Sequence, residues 1–159
     1  ADAEHFRQVA NIVKSGLDAA YATSFETPIK VKSKDPYVYE LGPYLGIHKQ
    51  PFNKIMLCHH NYIPIQCIMF SKKLFLEYGG LDETVDALED WDMWVRYSLH
   101  TDFEFILKTT SVYRVPAVRS INEERQKALD DALIFMREKH KGYQQRISVY
   151  DVAKMYERM

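Results

Sequence analysis

Only two cysteines, Cys58 and Cys67, occur in the 159 residues. That is too few for a disulfide framework, and it favours a reducing compartment. Long apolar runs are missing too: nothing approaches the roughly 20 residues that a membrane-spanning helix needs. No secretory signal pattern is visible at the start of the chain. The expected location is therefore the cytoplasm, with peripheral attachment to a membrane as its variant. Charge of one sign is also lacking. Lysine and arginine number 21 against 22 aspartates and glutamates, for a formal net charge of -1. That balance removes the electrostatic reason to expect nucleic acid or an acidic surface as partner. Repeats and low-complexity tracts are absent. The first residue is Ala rather than Met, so the chain is expected to be a piece of something longer.

What is present is ordinary globular material. Hydrophobic residues make up 47% and charged residues 27%, and the length suits one domain with a sizeable core. Aromatic residues reach 13%. This is a somewhat rich share that suits recognition of rings, although most aromatics of any domain are core.

Periodicity places the elements. Phe6, Val9, Ala10, Val13 and Leu17 recur at helical spacing and predict a helix over 3–15, capped by Asp2 and ended by Gly16. Residues 19–31 and 37–41 alternate as strands, joined by a turn rich in lysine (Lys30, Lys32, Lys34) that guards an exposed edge. Gly42-Pro43, Gly46 and Pro51 mark a loop over 42–53. An apolar strand is expected at 62–70, then a short helix at 71–78 capped by Ser71 and closed by Gly79-Gly80. A helix with two tryptophans covers 88–99, and a strand 103–115. A long helix at 121–141 carries an apolar stripe of Ala128, Leu129, Ala132, Leu133, Phe135 and Met136. Its last turn holds Lys139, His140 and Lys141, which complement the helix dipole before Gly142 ends it. A tail helix capped by Ser148 spans 148–158. Mixed strands and helices of this kind point to an α/β or α+β architecture.

Chemistry concentrates at Gly79-Gly80-Leu81-Asp82-Glu83 and Glu89-Asp90-Trp91-Asp92-Met93-Trp94-Val95-Arg96. A carboxylate can take a proton from a hydroxyl and an indole can stack on a pyranose, so acids beside tryptophans suit a sugar site. The same residues also serve as a helix start. Asp86 and Glu89 fit a capping box, negative charge is favoured in the first turn, and Asp92 with Arg96 is spaced for a surface ion pair. For Asp90, Glu89 and a tryptophan wall raise the carboxyl pKa while the helix start lowers it, which leaves the net direction open. Cys58-His59-His60 with Cys67 fits no zinc spacing. Tyr113-Arg114 at a strand end presents either a solvated arginine or a fork for phosphate oxygens.

Taken in order, these pieces resemble the C-terminal half of a family 2 glycosyltransferase, an inverting enzyme of GT-A fold. The resemblance runs from Asn61-Tyr62-Ile63-Pro64 through Phe70-Ser71-Lys72-Lys73, the Gly79–Glu83 and Glu89–Arg96 segments, to Tyr113-Arg114, about a third of the chain. It implies transfer of a sugar from a nucleotide-sugar donor to a hydroxyl of a saccharide or glycan acceptor. Asp90 maps onto the general base, with Glu89 as its catalytic neighbour. Trp91, Trp94 and Asn61 fall on the acceptor side and Arg114 near the donor diphosphate. The resemblance also implies a divalent cation (Mg or Mn), whose Asp-x-Asp ligands belong to a nucleotide-binding half outside this chain. Asp90-Trp91-Asp92 has that spelling but lies in the base segment and is not assigned to metal. Val115-Pro116-Ala117 stands where the family often has a histidine, so that position receives no metal or phosphate role.

The expected organisation is an acceptor-side portion over 1–118, a mixed sheet flanked by helices, followed by a helical extension over 119–159, whose 121–141 helix would join copies. The competing expectation is a non-catalytic binding or oligomerisation module whose acids only cap a helix.

Overall fold

A computed structural model describes residues 7, 10, 11, 17–144, 146–150, 152 and 153. In chain order the elements are β1 (Ala19–Lys34), β2 (Tyr37–Leu41), β3 (Gly46–His48), α1 (Lys54–His59), a 3-10 turn (Ile65–Cys67), β4 (Ile68–Phe70), α2 (Lys72–Tyr78), α3 (Glu89–Ser98), β5 (Phe103–Pro116) and α4 (Arg119–His140). The fold is α/β, a mixed five-stranded sheet flanked by helices. Among the described residues no helix is long and apolar enough to cross a membrane.

β1 is the spine of the sheet. β5 runs parallel along one edge from Ala19 to Ile29. Along the other edge lie three antiparallel strands in succession: β4 at Ala19–Tyr21, β3 at Ser24–Glu26 and β2 at Ile29–Lys34. The residue types follow this placement. Ala19 to Ser24 are buried without alternation, as a strand covered on both faces requires, and exposure begins at Phe25, where β1 pairs with β3. The lysines expected in a turn sit instead on β1 itself, with Lys32 Nζ 2.8 Å from Glu40 Oε2 across the pair.

The core lies where α3 packs between the sheet and the other helices. Trp91, Trp94 and Tyr97 meet Leu57 of α1, Leu74 of α2, Tyr21 of β1 and Met136 of α4. Met136 thus ties α4 into the same core as the sheet, across the boundary drawn at 118/119.

Three expectations are corrected here. The strand over 62–70 is broken, because Pro64 opens a 3-10 turn that leaves only Ile68–Phe70 as strand. The sequence marks no helix at 54–59, yet Asn53 starts one by accepting the N–H groups of Ile55 and Met56 on Oδ1, both at 3.0 Å. On α4 the inward stripe holds Leu129, Ala132, Leu133 and Met136, while Phe135 is 50% exposed. The helix expected over 3–15 lies outside the described residues apart from Arg7, Ala10 and Asn11. The tail helix is seen in part, at Val149, Tyr150, Val152 and Ala153.

Candidate functional site

The site is built at the start of α3, and a left-handed residue aims it. Leu88, the residue before the helix, has φ 64 and makes no side-chain cap. The capping box expected from Asp86 and Glu89 is therefore not formed. Instead Asp90 Oδ1 accepts the N–H of Trp91 at 2.7 Å and the side-chain amide of Asn61 at 3.1 Å. Asn61 Oδ1 in turn accepts the N–H of Ile63 at 3.2 Å, which fixes which end of the amide faces Asp90. Both donors fall on Oδ1, so Oδ2 has no hydrogen-bond partner among the described residues.

Asp90 and Asn61 line a cleft of about 440 Å3, a volume ordinary for a small-molecule site. Glu89, His48, Tyr113 and Arg125 share its walls. Burial pushes the Asp90 carboxyl up to about 6; the bond from Trp91 opposes the rise, the charge of Glu89 adds to it, and Asn61 opposes it. The direction left open by the sequence is thus upward. At neutral pH such a group is ionised but retains enough basicity to take a proton. His48 Nε2 lies 3.0 Å from Glu26 Oε2, and its ring meets Tyr113 edge-on at 5.4 Å.

Behind the cleft, the same signature holds the fold together. Asp92 is fully buried and is not half of a surface ion pair. Its Oδ2 accepts from Arg96 Nε and Lys139 Nζ, each at 2.9 Å. Its Oδ1 lies 3.3 Å from His140 Nε2 and accepts from the Tyr143 hydroxyl at 3.2 Å. Burial alone would raise this carboxyl, but the bonds from His140, Lys139 and Arg96 outweigh it and hold Asp92 well below the usual range. Lys139 also reaches Asp82 Oδ2 at 2.6 Å, and that contact, ahead of the bonds from Thr84, holds Asp82 down at about 2. Lys139 and His140 therefore contact specific carboxylates, Lys139 both Asp82 and Asp92 and His140 only Asp92, beyond any complement to the helix dipole.

Arg96 completes the clamp. Its guanidinium donates to the carbonyl oxygens of Tyr78, Gly79 (3.3 Å) and Gly80 (2.6 Å), and the Tyr97 hydroxyl donates to Gly79 at 2.8 Å. These carbonyls belong to the end of α2 and the turn after it, where a helix leaves acceptors unsatisfied. Gly79 has φ 80, a conformation that side chains with a Cβ rarely take. The Gly-Gly pair and the arginine beyond the tryptophans thus work as one latch.

The expected site residues divide accordingly. Asp90, Glu89 and Asn61 come together in the cleft. Trp91 and Trp94 do not: both are fully buried and neither lines it. Trp91 Nε1 donates to the Leu57 carbonyl at 2.6 Å, and Trp94 packs against Phe70. They are core residues because α3 is covered nearly all round. Arg114 is also elsewhere. It is exposed over the Tyr39 ring at 5.2 Å, beside Phe25 and Leu41, in a separate depression that Asp90 does not line. Its neighbour Tyr113 faces the cleft instead, as the alternation of a strand dictates. Cys58 and Cys67 are free thiols, and among the described residues no group of three or more His, Cys, Asp or Glu side chains could hold a metal ion.

Sequence reasoning missed His48 and Arg125. His48 ends β3, a strand inside the stretch expected as a loop over 42–53, because Gly46–His48 pair with β1, and Arg125 occupies an inward position of α4 outside the apolar stripe. The one available signal was helical spacing: Arg125 precedes Leu129 by one turn on the inward face. No protein-family model matches the sequence, and a search of curated proteins finds no significant match. The functional reading accordingly rests on the cleft and on the motif resemblance.

Proposed function

We propose that the chain is the acceptor-side, C-terminal half of an inverting GT-A glycosyltransferase, with Asp90 as the base that deprotonates the acceptor hydroxyl. One observation carries this: a carboxylate raised to about 6 lines an open cleft, with one oxygen tied down and the other uncommitted. Direct displacement at an anomeric carbon needs one such base. Asp90 Oδ2 takes the hydroxyl proton as the acceptor oxygen bonds to the anomeric carbon and the donor diphosphate leaves with the electron pair of the broken bond. Burial keeps Asp90 basic, with the charge of Glu89 adding to it, and Asn61 keeps it aimed.

The donor half, with its nucleotide-binding units, lies outside these residues on this reading. A divalent cation would bind there. The described residues offer no cluster for one, so none of the roles assigned to them involves a metal. Trp91 and Trp94 support the site from behind by fixing α3, rather than by stacking on sugar.

The test is Asp90→Asn in the complete enzyme. Transfer falls by several orders of magnitude while donor affinity stays within a few fold; turnover like the wild type's rejects Asp90 as base. The second reading, an oligomerisation module, has its own observation: Ile134 is 68% and Phe135 50% exposed on α4. Sedimentation of Ile134→Glu beside wild type decides whether that face joins copies, because only an interface there would be broken by the charge.

A further inference from the structure

The cleft holds one guanidinium that has no anionic partner among the described residues. Arg125, on α4, is the one Arg or Lys among the described residues lining it. Its side-chain partner is the Tyr113 hydroxyl, which it donates to through Nη2, with the guanidinium 5.9 Å from the ring centre. Three carboxylates, Asp86, Glu89 and Asp90, line the same cleft, yet among the described residues none lies within ion-pair distance of Arg125. The other titratable base there, His48, is engaged by Glu26. Among the described residues one N–H of the guanidinium is used, which leaves the rest of its planar fork uncommitted.

We propose that Arg125 is the anion seat of this cleft: its fork takes a pair of substrate oxygens, those of a phosphate or of a sugar carboxylate, while a hydroxyl of the acceptor lies at Asp90. The inference rests on the transferase reading for which substrate is meant, and on geometry for the residue. Arg is suited to the task because its fork matches both anions in two parallel hydrogen bonds. Tyr113 holds the fork without neutralising it. The cleft is consequently bipolar, with acids from the start of α3 and a cation from α4, and it selects a ligand that carries a hydroxyl near one end and an anion near the other. The diphosphate contact that the motif resemblance gave to Arg114 falls to Arg125 if the anion is the donor's. If it is the acceptor's, the acceptor is an acidic saccharide.

The experiment is titration of the 159-residue chain, followed by amide NMR shifts, with inorganic pyrophosphate in one arm and glucuronate in the other. Wild type and Arg125→Gln are compared, with Arg125→Lys as the variant that keeps charge and loses the fork. Saturable shifts at His48, Asn61 and Tyr113 are expected with at least one probe. Arg125→Gln weakens that binding roughly tenfold or more, and Arg125→Lys weakens it less. Dependence on Arg125 in the pyrophosphate arm alone assigns the donor diphosphate; dependence with glucuronate assigns an acidic acceptor. The proposal is overturned if neither probe saturates, or if Arg125→Gln binds as wild type does. Because Arg125 is only half-buried, the variant keeps its fold, which the same spectra show. Turnover of Asp90→Asn judges the transferase reading separately, so either idea can fail alone.

Discussion

Replacing Asp90 by Asn should make the protein more stable at neutral pH while removing its proposed activity. The carboxyl rises from 3.8 in the unfolded chain to about 6 in the fold. Between those values the native state holds a proton that the unfolded state has released, so stability falls as pH rises through the window. A shift of about two units at about 1.4 kcal/mol each amounts to about 3 kcal/mol of lost stability above pH 6. Asparagine keeps both bonds to Oδ1, from Asn61 and Trp91, and carries no charge to bury. Urea unfolding of both proteins at a series of pH values is the assay. Below pH 3.8 the two should be nearly equal, and above pH 6 the variant should lead by about 2–3 kcal/mol. Comparison with the variant cancels other groups that titrate. A variant less stable than wild type at pH 8, or a difference that does not change with pH, would refute the reasoning.

Other outcomes follow from the same geometry. Asp92→Asn removes the carboxylate between Arg96 and Lys139 and should cost about 3–5 kcal/mol in urea unfolding, as breaking a buried ion network does. Because Asp92 is held below its ordinary value, its contribution is present above about pH 4 and lost as pH falls through the depressed pKa. Trp91→Phe strands the Leu57 carbonyl and should lose about 1–3 kcal/mol beyond its packing cost. Trp94→Phe removes an N–H that has no partner among the described residues and should lose less; equal losses would contradict the assignment. Asn61→Ala deletes a bond to the ionised form of Asp90, so carboxyl NMR should place the Asp90 titration higher in the variant than in the wild type.

Much of the fold was legible because its signals are local. Ser71 and Gly79 bound α2 where the sequence marks a short helix, and α3 and β5 fall within a residue or two of their expected ends. What the sequence hid depends on distance along the chain. Asp92 reads as a surface acid because its partners Lys139, His140 and Tyr143 lie 47 to 51 residues away. The tryptophans read as a sugar platform because α3 mixes them with Asp90, Asp92 and Arg96. A helix with charges on every side looks half-exposed until Asp92 proves to be paired inside, with Arg96 and Lys139. The role of Asn61 was visible only as a neighbour in a motif. Its contact with Asp90 requires the loop after α1 to fold against the start of α3. Arg114 was the candidate of the Tyr113-Arg114 pair, and strand alternation sent its neighbour Tyr113 to the cleft instead.

The central claim is that Asp90 removes the acceptor proton. The most direct test is the pH dependence of kcat/KM for sugar transfer by the complete enzyme, wild type beside Asp90→Asn. The account predicts that wild-type activity falls on the acid side with an apparent pKa near 6, and that the residual rate of the variant shows no such limb. An acid limb that persists unchanged in the variant would assign the proton to another group and contradict the account.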